Sequence, residues 1–286
     1  MLRRRAAGGG RSIRPSQLHP IRSALRKRQR EKSLVSPRRP EFPYRFAQPG
    51  GSPETGTAAS IPRPAYNLAG TLAAQGKYAE AEVEFRGLVK SYEKAFGPEH
   101  PNTLATRNNL AALLDKEGKY TEAEAEEREV LKLKEKVLGP EHPDTLETRD
   151  NLAGTLLHQG RYPEADTEAR QIVRLEEKVR GPDHPSTLNT RNILANAIAE
   201  QGRYSEAETE YRSVLTLREK VLGVEHPDTL ETCFNLATCL RAEGKASEAK
   251  TLAQRAADGA RETLGLQHPD TKKYEQLQKE LSAEQE

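Results

Sequence analysis

A histidine followed by proline occurs at His100-Pro101, His142-Pro143, His184-Pro185, His226-Pro227 and His268-Pro269, 42 residues apart each time. Histidine is the commonest metal ligand, so five in one register raise the question of a metal centre. The period answers it. Equivalent residues of stacked units lie roughly 8–10 Å apart, whereas each ligand of a zinc ion sits only ~2.0–2.1 Å from it. Neighbours in the column therefore share no ion, and the histidine and proline are expected to shape a recurring loop. Cys233 and Cys239 are six apart on one predicted helix, a rise of ~9 Å, beyond the ~7 Å a disulfide spans. Both read as small packing residues. Acids and histidines recur in every unit, whereas a catalytic constellation is singular, and no glycine-rich phosphate loop follows a strand. These residues predict no enzyme activity, no cofactor and no bound metal.

Composition agrees with an extended helical chain. Of 286 residues, 35% are hydrophobic, 5% aromatic and 31% charged, too little apolar material for one thick core. No stretch approaches the ~20 apolar residues of a membrane helix. The charge is split. Residues 1–62 hold 14 basic and 3 acidic residues, a net of +11, while residues 63–286 hold 31 basic and 40 acidic, a net of −9. The first segment, with Arg3-Arg4-Arg5, Arg26-Lys27-Arg28-Gln29-Arg30 and repeated Pro and Gly, lacks apolar periodicity and is predicted to be a disordered basic tail. Its readings stay open: an organellar transit peptide, an arm for nucleic acid or anionic lipid, a ligand of the acidic remainder, a solvated tail, or an upstream extension of the reading frame. No signal-peptide core is present, and a cytoplasmic location is expected.

The elements that carry the histidines follow from two further columns. Gly76-Lys77-Tyr78, Gly118-Lys119-Tyr120, Gly160-Arg161-Tyr162, Gly202-Arg203-Tyr204 and Gly244-Lys245-Ala246 keep the same period, each followed by Glu-Ala, as at Glu122-Ala123. A fixed period of this length means stacked units. Asn102, Asp144, Ser186, Asp228 and Asp270 read as N-caps of a first helix, with Glu147 and Glu231 completing capping boxes behind Asp144 and Asp228. That helix carries an apolar stripe, as in Leu110, Ala111 and Leu114, and stops at the glycine of the Gly-Lys/Arg-Tyr turn. A second helix is predicted to be capped by Thr121, Ser205 or Ser247, or to hold Pro163 in its first turn. It ends at Gly97, Gly139, Gly181, Gly223 or Gly265.

Asn-Leu-Ala, then Gly-Lys/Arg-Tyr, then Glu-Ala, resembles the tetratricopeptide repeat. The 42-residue length and the Leu138–Leu146 connector are similar to the kinesin-light-chain type of that repeat, over roughly residues 65–286. The resemblance implies an all-α fold, a right-handed α-solenoid of antiparallel helix pairs. Units are expected at about 65–97, 103–139, 145–181, 187–223 and 229–265, with a capping helix at about 271–284 carrying Tyr274, Leu277 and Leu281. The tail occupies 1–62 and the solenoid 63–286.

In such a superhelix the resemblance implies that first helices line the concave face. There the column Asn67, Asn109, Asn151, Ile193 and Asn235 offers amides at unit spacing. They either pair with the backbone of an extended peptide or brace neighbouring helices. Flanking candidates are Asn108, Asp150, Asn192 and Phe234, with Glu147, Asn189, Glu231 and Asn196 a turn away and Tyr66 as an apolar foothold. Arg107, Arg149 and Arg191 form a basic column that snorkels over the stripe or pairs with acids of the next unit. The expected function is a non-enzymatic scaffold for an extended, neutral or basic protein segment, with residues 20–45 of the tail as a possible occupant of the groove. The alternative is an adaptor that uses its basic arm on nucleic acid or an anionic surface.

Overall fold

The structure, a computed structural model, describes residues 63–283. The basic segment 1–62, with its expected disorder and groove contact, lies outside the described residues. Among those described, eleven α-helices follow one another and no strand occurs. They are α1 (Arg63–Ala74), α2 (Tyr78–Phe96), α3 (Pro101–Lys116), α4 (Tyr120–Leu138), α5 (Pro143–His158), α6 (Tyr162–Val179), α7 (Pro185–Glu200), α8 (Tyr204–Val221), α9 (Pro227–Ala242), α10 (Ala246–Thr263) and α11 (Pro269–Ala283). Odd-numbered helices are the first of each pair and even-numbered ones the second.

The turn inside each pair is set by one glycine. Gly118, at φ +77°, follows α3, a conformation that Cβ-bearing residues resist. It lets Lys119 N–H reach Leu114 O at 2.9 Å and Gly118 N–H reach Asp115 O at 2.9 Å, which satisfies two carbonyls of the last turn. Lys119 is then already the N-cap of α4, as Arg203 is of α8 and Lys245 of α10, with no side-chain capping bond. Thr121, Ser205 and Ser247 are therefore not caps but first-turn residues, because the closing turn leaves no position between the two helices.

The first helices also start earlier than expected. His100, His142, His184 and His226 are the N-caps, in extended backbone, and proline takes the first helical position. The imidazole Nδ1 accepts the N–H of Asn102, Asp144, Ser186 or Asp228 at 3.1–3.2 Å. Proline has no N–H to satisfy and its φ suits that first position, so the acceptor must come from the residue before it. Asn102 and its equivalents thus sit second in the helix, and Glu147 and Glu231 lie two positions too far along to close capping boxes.

The apolar stripe is buried as a repeated layer. Leu110, Ala111 and Leu114, with their equivalents Leu152, Ala153, Leu156, Leu194, Ala195, Ile198, Leu236, Ala237 and Leu240, are each at most 6% exposed. The alanine of each Glu-Ala pair, from Ala81 to Ala249, is fully buried where the helices cross. Consecutive first helices from α3 to α11 touch one another, whereas the second helices make no comparable contact. The stack of hairpins therefore has a tighter inner layer of first helices and a looser outer layer of second helices. Outside, ion pairs tie each second helix to the turn of the next unit: Glu82–Lys119, Glu124–Arg161 and Asp166–Arg203 at 2.7 Å and Glu208–Lys245 at 2.5 Å.

Candidate binding face and the seams between units

The asparagine column does not reach the surface evenly. Asn67 is exposed and Asn235 half-buried, while Asn109 and Asn151 are buried. Asn109 donates through Nδ2 to the Tyr66 hydroxyl on α1, so this amide braces two first helices. Ile193, Asn189 and Asn196 are half-buried on α7, and Asn196 accepts the Tyr211 hydroxyl of its own hairpin. Glu147 on α5 and Glu231 on α9 are half-buried at the position equivalent to Asn189.

Asn108, Asp150, Asn192 and Phe234 occupy the seams where one hairpin meets the next. Before α5 and α7 this position is bonded to a threonine of the following first helix, whereas Asn192 Oδ1, before α9, is buried without a hydrogen bond. In the seam before α5, Lys134 is 3% exposed and its Nζ donates to Asp144 O at 2.9 Å and Thr148 Oγ1 at 2.8 Å. Thr148 in turn donates to Asn108 Oδ1 at 2.8 Å. In the seam before α9, Arg218 is 1% exposed. Its Nη1 donates to Asp228 O at 2.6 Å and Thr232 Oγ1 at 2.8 Å, and its Nη2 to Asn189 Oδ1 at 2.6 Å. Glu231 lies 3.7 Å from that guanidinium.

The seam before α7 has no cation at this position. Glu176, 1% exposed, replaces the lysine and arginine, and Asp150 replaces the asparagine, bonded to the Thr190 hydroxyl. Burial pushes Asp150 up to about 7, and the neighbouring charges of Glu176 and Glu147 push the same way. Burial also raises Glu176 and Glu231 and lowers Lys134. The two outermost seams are aromatic. Tyr92 is buried near Tyr66, and Phe234 stacks on Tyr274 of α11 with ring centroids 4.8 Å apart and Lys273 Nζ 4.5 Å above its ring. Phe234 is thus engaged by the end helix while remaining half-buried.

Arg107, Arg149 and Arg191 pair with Glu126 and Glu168 at 2.6 Å and Glu210 at 2.5 Å. These acids belong to the second helix of the same hairpin, not to the next unit, because the arginine leaves the first helix toward its antiparallel partner. Cys233 and Cys239 are buried and free, and burial pushes both thiols up to about 11. Among the described residues no group of three or more His, Cys, Asp or Glu is arranged to hold a metal ion, and no helix is long and apolar enough to cross a membrane.

Sequence reasoning missed the column Tyr92, Lys134, Glu176, Arg218 and Ala260. Its charged members lie in stretches already dense with charge, such as Lys132–Lys136. The available signal was the apolar residue at both ends of the column, which marks a buried position.

Helix pairs closed by a glycine turn thus recur every 42 residues, with consecutive first helices from α3 on packed on one another. The tetratricopeptide repeat pattern matches residues 60–136, 116–178, 144–220 and 189–262. The chain belongs to the tetratricopeptide repeat family. This TPR chain is also similar to the nearly identical kinesin-light-chain TPR-like repeats of Podosopora anserina in their Q17M form. Identity is 29% over 71% of this chain and 95% of that one, with a TM-score of 0.58. It is of the kinesin-light-chain-like type. BtubC (BKLC) from P. vanneervenii shares the fold at 19% identity, over 72% of this chain and 81% of that one, with a TM-score of 0.58. PlcR of Bacillus thuringiensis, in complex with the peptide PapR7 and DNA, shares the fold at 14% identity. There the match spans 77% of this chain and 73% of PlcR, with a TM-score of 0.57. No curated protein matches the chain.

Proposed function

We propose that this TPR chain is a non-enzymatic scaffold that holds an extended, neutral or basic segment of another protein along its inner layer of first helices. The observation that carries the reading is the chemistry of that layer. Its half-buried positions include Glu147, Asp150, Asn189, Asn196, Glu231 and Asn235, six carboxylates or amides, beside the apolar Ile193 and Phe234. Amides meet the N–H and C=O of an extended backbone, and carboxylates favour a cationic side chain over an acidic one. Residues 63–286, with 40 acidic and 31 basic residues, act as one binding domain in this reading, in a cytoplasmic setting. The PlcR complex is an instance of this fold seen with a peptide.

The test uses the full chain with arrays of extended peptides of basic, neutral and acidic composition, followed by hydrogen exchange on the bound state. Basic or neutral peptides should protect α5, α7 and α9, and the Glu231→Gln, Asn235→Ala double variant should weaken them about tenfold, the order of one or two lost hydrogen bonds. Protection confined to the second helices, or a preference for acidic peptides, would end the proposal.

A further inference from the structure

The seams repeat one geometry with different side chains, so each is a reference for the others. On either side of the seam before α7, a cation from the second helix reaches a backbone carbonyl and a threonine hydroxyl of the next unit. The middle seam keeps the receiving side, with Thr190 bonded to Ser186 O at 3.2 Å, but sets two acids against it. Asp150 Oδ1 and Glu176 Oε2 are buried and accept no hydrogen bond. Glu176 itself is 99% buried, at 1% exposure. Arg180, the C-cap of α6, approaches Glu176 Oε2 only to 3.4 Å through Nε. Its Nη1 is directed to Ser186 Oγ at 2.5 Å, so one partly turned cation faces two carboxylates.

We infer that the seam between α5–α6 and α7 is the anchor for one cationic side chain, a guanidinium, of the segment held on the inner face. The inference rests on the scaffold reading above and adds the chemistry of its central contact. Buried acceptors without donors are costly, and a cation entering among them recovers that cost. Access is from the inner layer, where Asp150 is half-buried. A guanidinium suits the seam better than an ammonium. Its planar fork serves acceptors on two different helices, as Arg218 does by bonding Asp228 O, Thr232 Oγ1 and Asn189 Oδ1 together. Burial raises both Asp150 and Glu176, and the one nearby cation, Arg180, only partly opposes it.

The probe is acetyl-Gly-Asn-Arg-Asn-Gly-amide, compared with the same peptide carrying citrulline, each titrated into the 15N-labelled full chain. The arginine peptide should bind at least about tenfold more tightly and shift the amides of Glu176 and Thr190. Glu176→Lys should build in the cation as Lys134 does, raise Tm, and erase the difference between the peptides. Equal affinity of the two peptides, with first-helix amides shifted by both, would overturn the anchor while leaving the scaffold reading intact. A Glu176→Lys chain that melts lower and still prefers arginine would overturn it as well. Failure of both peptides to shift any first-helix amide would sink the scaffold reading and the anchor with it. The twelve arginines of residues 1–62 are one source of such a group. Replacing them with glutamine should raise the affinity of the arginine peptide where the chain's own arm competes, and leave it unchanged where the guanidinium comes from another protein.

Discussion

His184 Nδ1 accepts the backbone N–H of Ser186 at 3.2 Å, and this bond opens helix α7. Burial and the nearby Arg180 depress the imidazole below its ordinary range, so the folded chain favours the neutral ring that can accept. The unfolded chain binds the proton more readily, and stability from this cap is present above about pH 6.5 and lost as pH falls through the folded value. His184→Ala should lower stability by ~1 kcal/mol near neutral pH. The gap from the natural chain should narrow as pH falls well below about 6.5 and the natural ring takes up its proton. Urea denaturation at the two pH values checks it; an equal gap at both would show that the ring does not act as a cap.

Glu127 titrates the opposite way. It is fully buried on α4, accepts the Thr155 hydroxyl at 3.0 Å through Oε1, and leaves Oε2 without a hydrogen bond. Burial pushes it up to about 8, with Asp115 and Glu124 adding to the rise and Arg128 opposing it. The folded chain therefore holds this proton more tightly, so its contribution is complete below about pH 4.5 and is lost as pH rises toward 8. Glu127→Gln should raise stability by roughly 1–3 kcal/mol near pH 8 and by little near pH 4, measured by denaturant midpoints at both ends of that range.

Two glycines inside second helices should respond in opposite directions to the same change. A Cβ on Gly259 of α10 would meet Leu230 Cδ2 at 2.6 Å and Glu225 Oε2 at 2.8 Å, whereas one on Gly87 of α2 would meet nothing within 4 Å. Gly259→Ala should cost about 1–3 kcal/mol through the forced shift of Leu230. Gly87→Ala should gain roughly 0.5–1 kcal/mol from helix propensity. Thermal melts of the two single variants decide it.

Arg218 is the most heavily committed of the buried cations. Arg218→Ala strands Asn189 Oδ1 and leaves Asp228 O and Thr232 Oγ1 with only their bond to each other, and should cost on the order of 3 kcal/mol. Arg218→Lys can repeat the pair of bonds that Lys134 makes and give up the one to Asn189, a loss of about 1 kcal/mol. Equal losses in the two variants, read from chemical denaturation, would mean that the guanidinium contributes only bulk.

The hairpins, their glycine turns and the buried stripe were legible in the sequence because each is a local rule repeated every 42 residues. The start of the first helix was not. A histidine cap is rarer than an aspartate or serine cap, and the polar residue after proline drew the assignment two positions along. The regular column left Asn109 open as a ligand contact or a brace between helices, and its partner Tyr66 lies 43 residues away, a bond no periodicity reveals. The arginine column was seen but paired across the wrong gap, since a regular repeat gives equivalent residues without saying whether a long side chain reaches its own hairpin or the next.

In the seams before α5, α7 and α9 the variation seen at Asn108 with Lys134 or Asp150 with Glu176 lies in one hairpin, while the hairpin that follows supplies the same threonine and carbonyl. The modules therefore connect as plug and socket in one direction, with an unchanging socket. At these seams a copy inserted or deleted in the middle of the array would meet the same threonine and carbonyl, while pairs such as Thr155 with Glu127 and His158 with Asp115 stay particular to one junction. The two ends are committed to their own partners, Tyr66 to Asn109 at the first joint and Phe234 to Tyr274 at the last.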